Sequence, residues 1–352
     1  MKISIGTNIK YGPWGGGNLF AINLKLYLED KGYEVIHSLD DDDIDLILLT
    51  EPRKTSESSA FTHIDVRNYI DYIKKDTLVV HRINECDERK GTNYVNKYLI
   101  SANKYADYTV FVSKWLKDLY LSQGLKKENN EVIYAGANST IFNNTGYKVW
   151  DTNSKLQIVS HHWGANWNKG FEIYSKLDKI LDRDDFKSKI GFNYIGNLPK
   201  NFTFKNVNHI NPLSGEALAE EIKKSHIYIT ASLNEPSGNH HIEAAQCGLP
   251  ILYIDSGGIP EYCSGFGVLF NEENFENKLE EIIKNYNSLY PKMKNYPFNS
   301  DLMCQDYENL FLKLISNKKN IIESREYIIS EGKMNKLFFT LKRFIDKKNR
   351  NK

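Results

Sequence analysis

Hydrophobic and polar positions along the chain form a repeating pattern in which a short apolar run is followed by an amphipathic segment. The apolar runs at residues 44–49, 77–80 and 226–232 are rich in β-branched and aromatic residues and predict buried strands. Residues 19–31 and 171–181 have the apolar spacing of helices that bury one face. Strands that alternate with helices form parallel sheets covered by helices. The pattern therefore predicts an α/β fold.

The pattern restarts after a polar segment without periodicity at residues 143–154, which predicts a linker between two domains. A length of 352 residues also exceeds what one hydrophobic core usually serves. We expect a first domain at residues 1–148, a second at 149–300, and C-terminal helices at 301–352. The first of these helices is expected to cross back to the N-terminal domain.

Composition limits the functional classes. The chain is 41% hydrophobic and 26% charged, which is ordinary for a soluble globular protein. Its net charge of +1 gives no reason to expect nucleic acid as a partner. No apolar run is long enough to cross a bilayer. Four cysteines without paired spacing indicate reduced thiols and a cytoplasmic protein rather than a disulfide frame or a zinc site: Cys86, Cys247, Cys263 and Cys304.

The tail at residues 331–352 has a different pattern. Six apolar residues fall on one helical face: Met334, Leu337, Phe338, Leu341, Phe344 and Ile345. Lysines and arginines surround them, with Asp346 as the acidic residue among them. Such a helix either lies on an anionic membrane surface or packs back on its own domain. Both interpretations remain open, so the protein is expected in the cytoplasm, either free or on the cytoplasmic face of a membrane.

The stretch that follows the strand at 226–232 carries the most specific chemistry. Pro236, Ser237 and Gly238 predict a turn that leads into a helix, whose free backbone N–H groups favour an anion such as phosphate. Gly238 lets that anion approach the main chain. Glu235 and Glu243 flank the turn and can accept hydrogen bonds from hydroxyls. Hydroxyls on both sides of a phosphate describe a nucleoside diphosphate sugar, whereas the alternative is a capped helix with two solvated carboxylates.

These residues also carry a family resemblance. Glu235 and Glu243 are separated by seven residues and followed by Ala-Ala-x-x-Gly-x-Pro at 244–250 and by Gly-Gly-Ile-Pro-Glu at 257–261. This string resembles the donor-site signature of glycosyltransferase family 4, retaining enzymes of the GT-B fold. The resemblance implies two facing Rossmann-like domains with parallel sheets and a cleft between them. The N-terminal domain would bind the acceptor and the C-terminal domain the nucleotide sugar.

The resemblance implies specific donor contacts. Glu235 would hold hydroxyls of the transferred sugar and Glu243 the ribose, while Lys169, followed by Gly170, would contact the diphosphate. Family members usually carry an arginine shortly before this lysine, and here His162 or Arg82 is expected to compensate. The expected donor-binding residues are Gly16, Gly17, Arg82, His162, Lys169, Glu235, Ser237, Gly238, Asn239, His240 and Glu243.

A dense polar group follows the strand at 77–80. Residues just beyond the carboxyl end of a parallel strand line the ligand crevice. His81 loosely matches a cleft histidine of the resembled family, and we expect either a catalytic role or a structural one for it. Asn84, Glu85 and Asp87 are expected on the acceptor side, where a carboxylate can act on a hydroxyl. With Lys169 and Glu235, His81 completes the expected catalytic set.

No metal or other cofactor is expected. The aspartate run at residues 40–43 is typical of a solvated loop, because consecutive side chains cannot all face one ion. The histidine pairs at 161–162 and 240–241 are neighbours whose side chains should point apart. The nucleotide sugar enters as a substrate.

The predicted function is a retaining, metal-independent hexosyltransferase. It would move a sugar from a nucleotide-diphosphate sugar to a glycan, a glycolipid or another hydroxyl acceptor in the synthesis of surface polysaccharide or a glycoconjugate. Two alternatives remain open: a non-catalytic module that binds glycans or nucleotide sugars, and another GT-B enzyme such as a nucleotide-sugar epimerase.

Overall fold

The computed structural model describes residues 1–10, 12, 15–125, 128–325, 337, 339–341, 343 and 345. Within them the chain forms two six-stranded sheets in which every pairing between named strands is parallel. Helices flank both sheets, so the predicted α/β architecture is confirmed. No helix or strand lies in residues 143–154, all of which are described.

The N-terminal sheet has the strand order β2-β1-β3-β4-β5-β6. Its strands are β1 (Lys2–Ile5), β2 (Glu34–Ile36), β3 (Leu46–Leu49), β4 (Leu78–Ile83), β5 (Tyr108–Phe111) and β6 (Asn130–Val132). The helices are α1 (Gly16–Asp30), α2 (His63–Tyr72), α3 (Asp87–Lys90), α4 (Val95–Asn103) and α5 (Lys114–Ser122). Strands β3, β4 and β5 are buried along their whole length because apolar side chains pack on both faces.

The C-terminal sheet has the order β12-β11-β10-β7-β8-β9. Its strands are β7 (Leu156–His162), β8 (Ile190–Gly196), β9 (Asn208–Ile210), β10 (Ile227–Thr230), β11 (Ile251–Ile254) and β12 (Gly267–Phe270). The helices of this domain are α6 (Phe171–Ile180), α7 (Asp184–Lys187), α8 (Gly215–Ile222), α9 (Asn239–Gln246), α10 (Ile259–Cys263), α11 (Phe275–Lys284) and α12 (Tyr286–Leu289). They are followed by α13 (Ser300–Ser316) and α14 (Lys318–Glu323). Two 3-10 helices span Trp167–Lys169 and Tyr290–Asn295.

Helix α13 packs in the core of the N-terminal domain. Its apolar face joins the cluster formed by α1 and the strands, and the rings of Phe20 and Tyr307 lie 5.1 Å apart. The chain reaches this position through a bridge in which the Ser300 N–H donates to the Ala137 carbonyl at 2.8 Å. The two domains are therefore joined twice by the chain.

The Gly-Gly-Ile-Pro-Glu segment at residues 257–261 joins the two domains through direct contacts. The Glu261 carboxylate accepts hydrogen bonds from the Lys114 and Trp115 N–H groups at 2.7 Å each, so it caps α5 of the other domain. Gly258 is required by close packing, since a Cβ there would lie 2.7 Å from the Ser113 hydroxyl oxygen. Sequence reasoning had assigned this segment only to the donor signature.

The described part of the tail packs on the N-terminal domain. Phe339 lies against Tyr72, with 5.9 Å between ring centroids, and Arg343 donates to the Leu39 carbonyl at 3.0 Å. The side chains of Leu337, Leu341 and Ile345 are exposed. The predicted stripe also includes Met334, Phe338 and Phe344, which lie outside the described residues, as does most of its basic surround. Across the described part of the chain, no helix is both long and apolar enough to cross a membrane.

Candidate active site

A cleft of about 700 Å³ lies where the carboxyl ends of the two sheets face each other. Residues that follow β4 contribute Asn84 and Glu85 to its wall, and β7 contributes its last residues, His161 and His162. Glu235, after β10, completes the opposite wall. Ligands of open parallel sheets bind at this edge, so the topology itself produces the site.

Two helix N-termini oppose each other across this cleft. Helix α1 begins at Gly16 and α9 at Asn239, and a Cβ on Gly16 would lie 2.9 Å from the Asn239 Oδ1. Neither terminus has a side-chain cap or an acidic residue in its first turn. Free N–H groups and two positive dipole ends therefore face the same space. This arrangement favours an anion bound between the domains.

The turn that leads into α9 needs glycine at position 238. Gly238 has a φ of 75°, and a Cβ there would lie 2.7 Å from the His240 ring. Ser237 and His240 also line the cleft, as do Gly16 and Gly17 from the first domain. The turn therefore presents main chain rather than side chain to a ligand.

Lys169 and Glu235 form a buried ion pair in the cleft wall. The Lys169 Nζ lies 2.7 Å from the Glu235 Oε2, and both side chains are almost fully buried. Burial lowers the pKa of Lys169 despite the carboxylate beside it. Burial alone would raise the pKa of Glu235, but Arg89 and Lys169 outweigh it and hold this pKa well below its usual range. Glu235 is therefore an anion at neutral pH and a strong acceptor for hydroxyl groups.

Glu243 lies one helical turn into α9 and is also buried in the cleft wall. Its Oε2 is 2.8 Å from the His161 Nε2. His162, the next residue of β7, instead places its Nε2 2.9 Å from the Tyr174 hydroxyl. The two histidines thus point apart, as strand geometry requires.

Three buried histidines, His162, His240 and His241, lie close together beside the turn at Gly238. The His240 ring lies 4.4 Å from His162 and 4.9 Å from His241. Burial lowers the pKa of all three, to about 3 for His241, so they are uncharged at neutral pH. His162 can add hydrogen bonds, but it does not replace the positive charge of an arginine.

Arg82 is better suited to supply that charge. Its guanidinium lies 3.9 Å above the Phe20 ring at the base of the cleft, and the side chain is almost fully buried. Within the described residues, no ion pair links Arg82 to a carboxylate. Its charge is therefore available to an anion in the cleft.

Two expected site residues are not in the cleft, and their predicted placement is corrected here. His81 is fully buried on the opposite face of β4 from Arg82, where its Nδ1 lies 3.1 Å from the Asn103 amide nitrogen. The Asp87 carboxylate accepts hydrogen bonds from the backbone N–H groups of Tyr94, Val95 and Asn96 and therefore holds the start of α4. His81 is outside the cleft because adjacent strand residues point to opposite faces.

Sequence reasoning missed a set of cations around Glu85. Arg53 and Lys90 each lie 2.7 Å from the Glu85 Oε2, and the Arg89 Nε lies 3.0 Å from the Glu235 Oε1 across the cleft. The density of charge at residues 81–90 marked this segment as functional. It could not indicate which side chain reaches the other domain, because that depends on how the domains face each other.

No cluster of three or more histidine, cysteine or acidic side chains that could hold a metal ion occurs among the residues that the structure describes. The aspartate run at residues 40–43 is a loop in which Asp41 and Asp43 each lie 2.8 Å from the Lys2 Nζ. The described side chains therefore give no support to a bound metal ion.

Comparison with known proteins agrees with this geometry. Residues 200–298 match the family described as glycosyl transferases group 1, and these residues include both Glu235 and Glu243. The match does not extend to the rest of the chain. No match was found among characterised protein sequences.

The solved structures define the fold as GT-B. HepE from Anabaena in complex with UDP-glucose aligns with a TM-score of 0.65 at 13% identity, over 89% of this chain and 100% of that chain. Sucrose-phosphate synthase from Thermosynechococcus elongatus gives 0.60 at 14% identity, over 90% of this chain and 99% of that one. The lipopolysaccharide outer core galactosyltransferase WaaB gives 0.62 at 12% identity, over 89% and 100%. At such low identity the similarity establishes architecture alone.

Proposed function

We propose that this protein is a glycosyltransferase that uses a nucleotide-diphosphate sugar. The observation that carries the proposal is the Lys169–Glu235 pair, which is buried beside two opposed helix N-termini in the cleft of a GT-B fold. The helix termini and Lys169 suit a pyrophosphate, and an anionic Glu235 suits sugar hydroxyls. The match of residues 200–298 to a glycosyltransferase family supports the same reading.

In this proposal the donor lies along the C-terminal domain. The diphosphate is held by the N-termini of α1 and α9, by Lys169 and by Arg82, while Glu243 accepts from the ribose and Glu235 from the hexose. Cations beside the leaving phosphate stabilise the charge that develops as the glycosidic bond breaks. UDP is the first nucleotide to test, because HepE, a protein of the same fold, binds UDP-glucose.

We further propose transfer with retention and without a metal. Glu235 is the carboxylate proposed to face the sugar, and its buried ion pair with Lys169 makes it a poor nucleophile. Departure of the diphosphate and attack by the acceptor would then occur on the same face of the sugar, and the leaving phosphate oxygen would accept the acceptor's proton. Closure of the cleft excludes water and limits hydrolysis.

The acceptor is proposed to enter from the N-terminal domain, past Asn84 and Glu85, both of which line the cleft. A glycan, a glycolipid or another hydroxyl compound fits this side, which would place the enzyme in the synthesis of surface polysaccharide or a glycoconjugate. Burial alone would raise the pKa of Glu85, but Lys90 and Arg53 outweigh it, so the pKa is lowered and Glu85 is ionised. An ionised carboxylate can orient an acceptor hydroxyl.

The test has two stages. Thermal-shift measurements with UDP, GDP, ADP, CMP and their sugars identify the donor, since a ligand that binds only the folded state raises Tm. NMR of the product then reports the anomeric configuration with the donor identified and a panel of hydroxyl acceptors. Glu235→Gln should abolish most transfer; transfer at the wild-type rate would refute the assignment of Glu235. Inversion of configuration would refute retention.

The same experiments decide between the alternatives. A nucleotide-sugar epimerase would form product from the donor alone. A non-catalytic module would bind the donor tightly and leave it unchanged across the acceptor panel.

A second proposal concerns the tail, which we expect to dock on an anionic membrane on the cytoplasmic face. Phe339 and Arg343 attach the described tail to the N-terminal domain, while Leu337, Leu341 and Ile345, spaced four residues apart, are exposed at 65%, 55% and 49%. This exposed stripe within a basic sequence suits acidic lipid headgroups. Vesicles with phosphatidylserine should bind the full chain but should not bind a variant that lacks residues 331–352. Equal binding of both proteins would refute the proposal.

A further inference from the structure

The short helix α3 of the N-terminal domain contacts the C-terminal domain beside the proposed sugar position. The Asn234 side-chain amide donates to the Glu88 carbonyl at 3.3 Å, and the Asn168 amide donates to the Arg89 carbonyl at 3.4 Å. The Arg89 side chain adds the ion pair with Glu235. Three contacts therefore hold this segment across the cleft, and Asn234 and Glu235 are adjacent in sequence.

Asn234 has a conformation that few residues other than glycine adopt. Its φ is 51°, which asparagine tolerates better than most residues. Its N–H donates to the Ser256 hydroxyl at 2.8 Å, and this bond helps to hold the conformation. The backbone strain sits next to Glu235, at the point where the two domains touch.

Both carboxylate oxygens of Glu235 are occupied. Lys169, from the same domain, lies 2.7 Å from Oε2, and Arg89, from the other domain, lies 3.0 Å from Oε1. The Glu235 side chain is only 7% exposed. A sugar hydroxyl that approaches Oε1 from the cleft therefore competes with the Arg89 side chain for this oxygen.

Arg89 can exchange its contact with Glu235 for one with another carboxylate. Although its Nε is close to Oε1, the Nε–H is buried and has no hydrogen-bond acceptor among the described residues, so the contact is an ion pair without hydrogen-bond geometry. Glu85 lies 3.7 Å from the Arg89 Nη1 and offers a second anion. An arginine that leaves Glu235 can thus keep a charged partner without leaving the cleft wall.

We propose that Arg89 is a positioning residue that covers Glu235 when no donor is bound and moves toward Glu85 when sugar hydroxyls take its place. This inference rests on the proposed role of Glu235 at the donor sugar. Arg89 would then oppose binding of the sugar part of the donor while leaving the nucleotide part unaffected. Its ion pair with Glu235 would also add to the two backbone contacts of α3 that hold the empty cleft closed.

Calorimetric titration of the full chain with UDP and with UDP-glucose tests the first consequence. In Arg89→Gln, UDP-glucose should bind roughly five-fold more tightly, as expected for removal of a competing contact, while UDP binds as in the wild type. Arg89→Lys keeps the ion pair and should restore the wild-type ratio. Arg67→Gln is the matched control and should leave the ratio unchanged, because Arg67 pairs with Asp71 in α2, away from both Glu235 and Glu85. Weaker binding of both ligands, or an unchanged ratio, would overturn the proposal.

Small-angle scattering of the ligand-free protein tests the second consequence without any donor. Arg89→Gln and Glu235→Gln should each increase the radius of gyration. The double variant should show no further increase, because each substitution removes the same Arg89–Glu235 contact. If the wild type bound neither UDP nor UDP-glucose, the donor proposal would fail for uridine nucleotides. The scattering would still decide the role of Arg89, since unchanged radii in all three variants would contradict it.

Discussion

The two domains have the same architecture but differ in how directly their sequences indicate their chemistry. Each places a six-stranded parallel sheet with its carboxyl edge at the cleft. In the C-terminal domain, the residues expected at the donor, including Lys169, Glu235 and Glu243, line that cleft. In the N-terminal domain, His81 and Asp87 do not, and the side chain that crosses the cleft is Arg89.

The difference has a local physical cause. The C-terminal motif builds its own turn: Gly238 has a positive φ, and α9 follows at once, so the direction of each side chain is set within a few residues. Strand β4 is buried on both faces, so its sequence contains no polar alternation that distinguishes them. His81 and Arg82 therefore look equivalent in the sequence, although only Arg82 faces the cleft.

The largest expected effect is a loss of transfer rate that occurs for a variant in the C-terminal domain and not for one in the N-terminal domain. Lys169→Met removes a buried cation beside the proposed leaving group and should lower the transfer rate by about 10²–10³-fold. The measurement is nucleotide release at saturating donor. His81→Gln provides the comparison and should leave the rate of the folded enzyme within about two-fold, since His81 faces Asn103 and does not line the cleft. Equal losses in both variants would remove the distinction between the domains.

Acid should destabilise the histidine-rich C-terminal site. The pKa values of His162, His240 and His241 lie below 6.5 in the folded state, so below pH 6.5 the unfolded chain binds more protons and stability falls as the pH falls. Between pH 6.5 and 5.5 the loss should be about 1 kcal/mol per histidine, or about 3 kcal/mol for these three. Burial also lowers the pKa of His37, His63 and His226, which add to the loss. The pKa of Glu235 is lowered in the folded state, so Glu235 stabilises the fold above pH 4.5, its unfolded value, and adds to the loss only below that pH.

Urea unfolding at pH 6.5 and 5.5 measures this loss. His241→Gln removes one of the three groups and should reduce the loss by about 1 kcal/mol. A free energy of unfolding that does not change between these pH values would show that the three imidazoles are not buried in their neutral form.

Asp87→Ala should affect stability rather than transfer. The carboxylate satisfies three backbone N–H groups at the start of α4, and loss of such a cap costs about 1–2 kcal/mol. Urea unfolding checks this value, and Asp87→Asn, which keeps an acceptor oxygen, should recover part of it. A large loss of transfer with no change in unfolding would return Asp87 to the acceptor site.

The smallest effect is expected for the hydrogen bond between His81 and Asn103. Asn103→Ala leaves a buried ring nitrogen without this partner and should destabilise the fold by about 1 kcal/mol, without changing donor affinity. Urea unfolding and calorimetry check the two quantities separately. Weaker donor binding in this variant would indicate that His81 acts on the cleft after all.

Periodicity was enough to predict the α/β architecture, because apolar strands and amphipathic helices differ in period. The turn at Gly238 and the helix start that follows it could also be predicted, since they depend on local backbone geometry. The Arg89–Glu235 pair and the Glu261 cap on α5 could not. Both join residues far apart in sequence and exist only once the domains face each other, which no local pattern encodes. Likewise, the neutrality of His162 follows from burial, which its sequence neighbours do not determine.

The most direct test of the donor site is the affinity of the full-length protein for UDP and UDP-glucose, measured by calorimetry in Glu235→Gln and Glu243→Gln. If Glu243 binds the ribose, Glu243→Gln should lower the affinity for UDP and for UDP-glucose by about tenfold, which corresponds to one charged hydrogen bond. If Glu235 binds the hexose, Glu235→Gln should lower the affinity for UDP-glucose and leave the affinity for UDP unchanged. Equal weakening of UDP binding by both variants would contradict the account, whereas wild-type protein that binds neither ligand would exclude uridine nucleotides as the donor and move the same test to the nucleotide that the thermal-shift screen identifies.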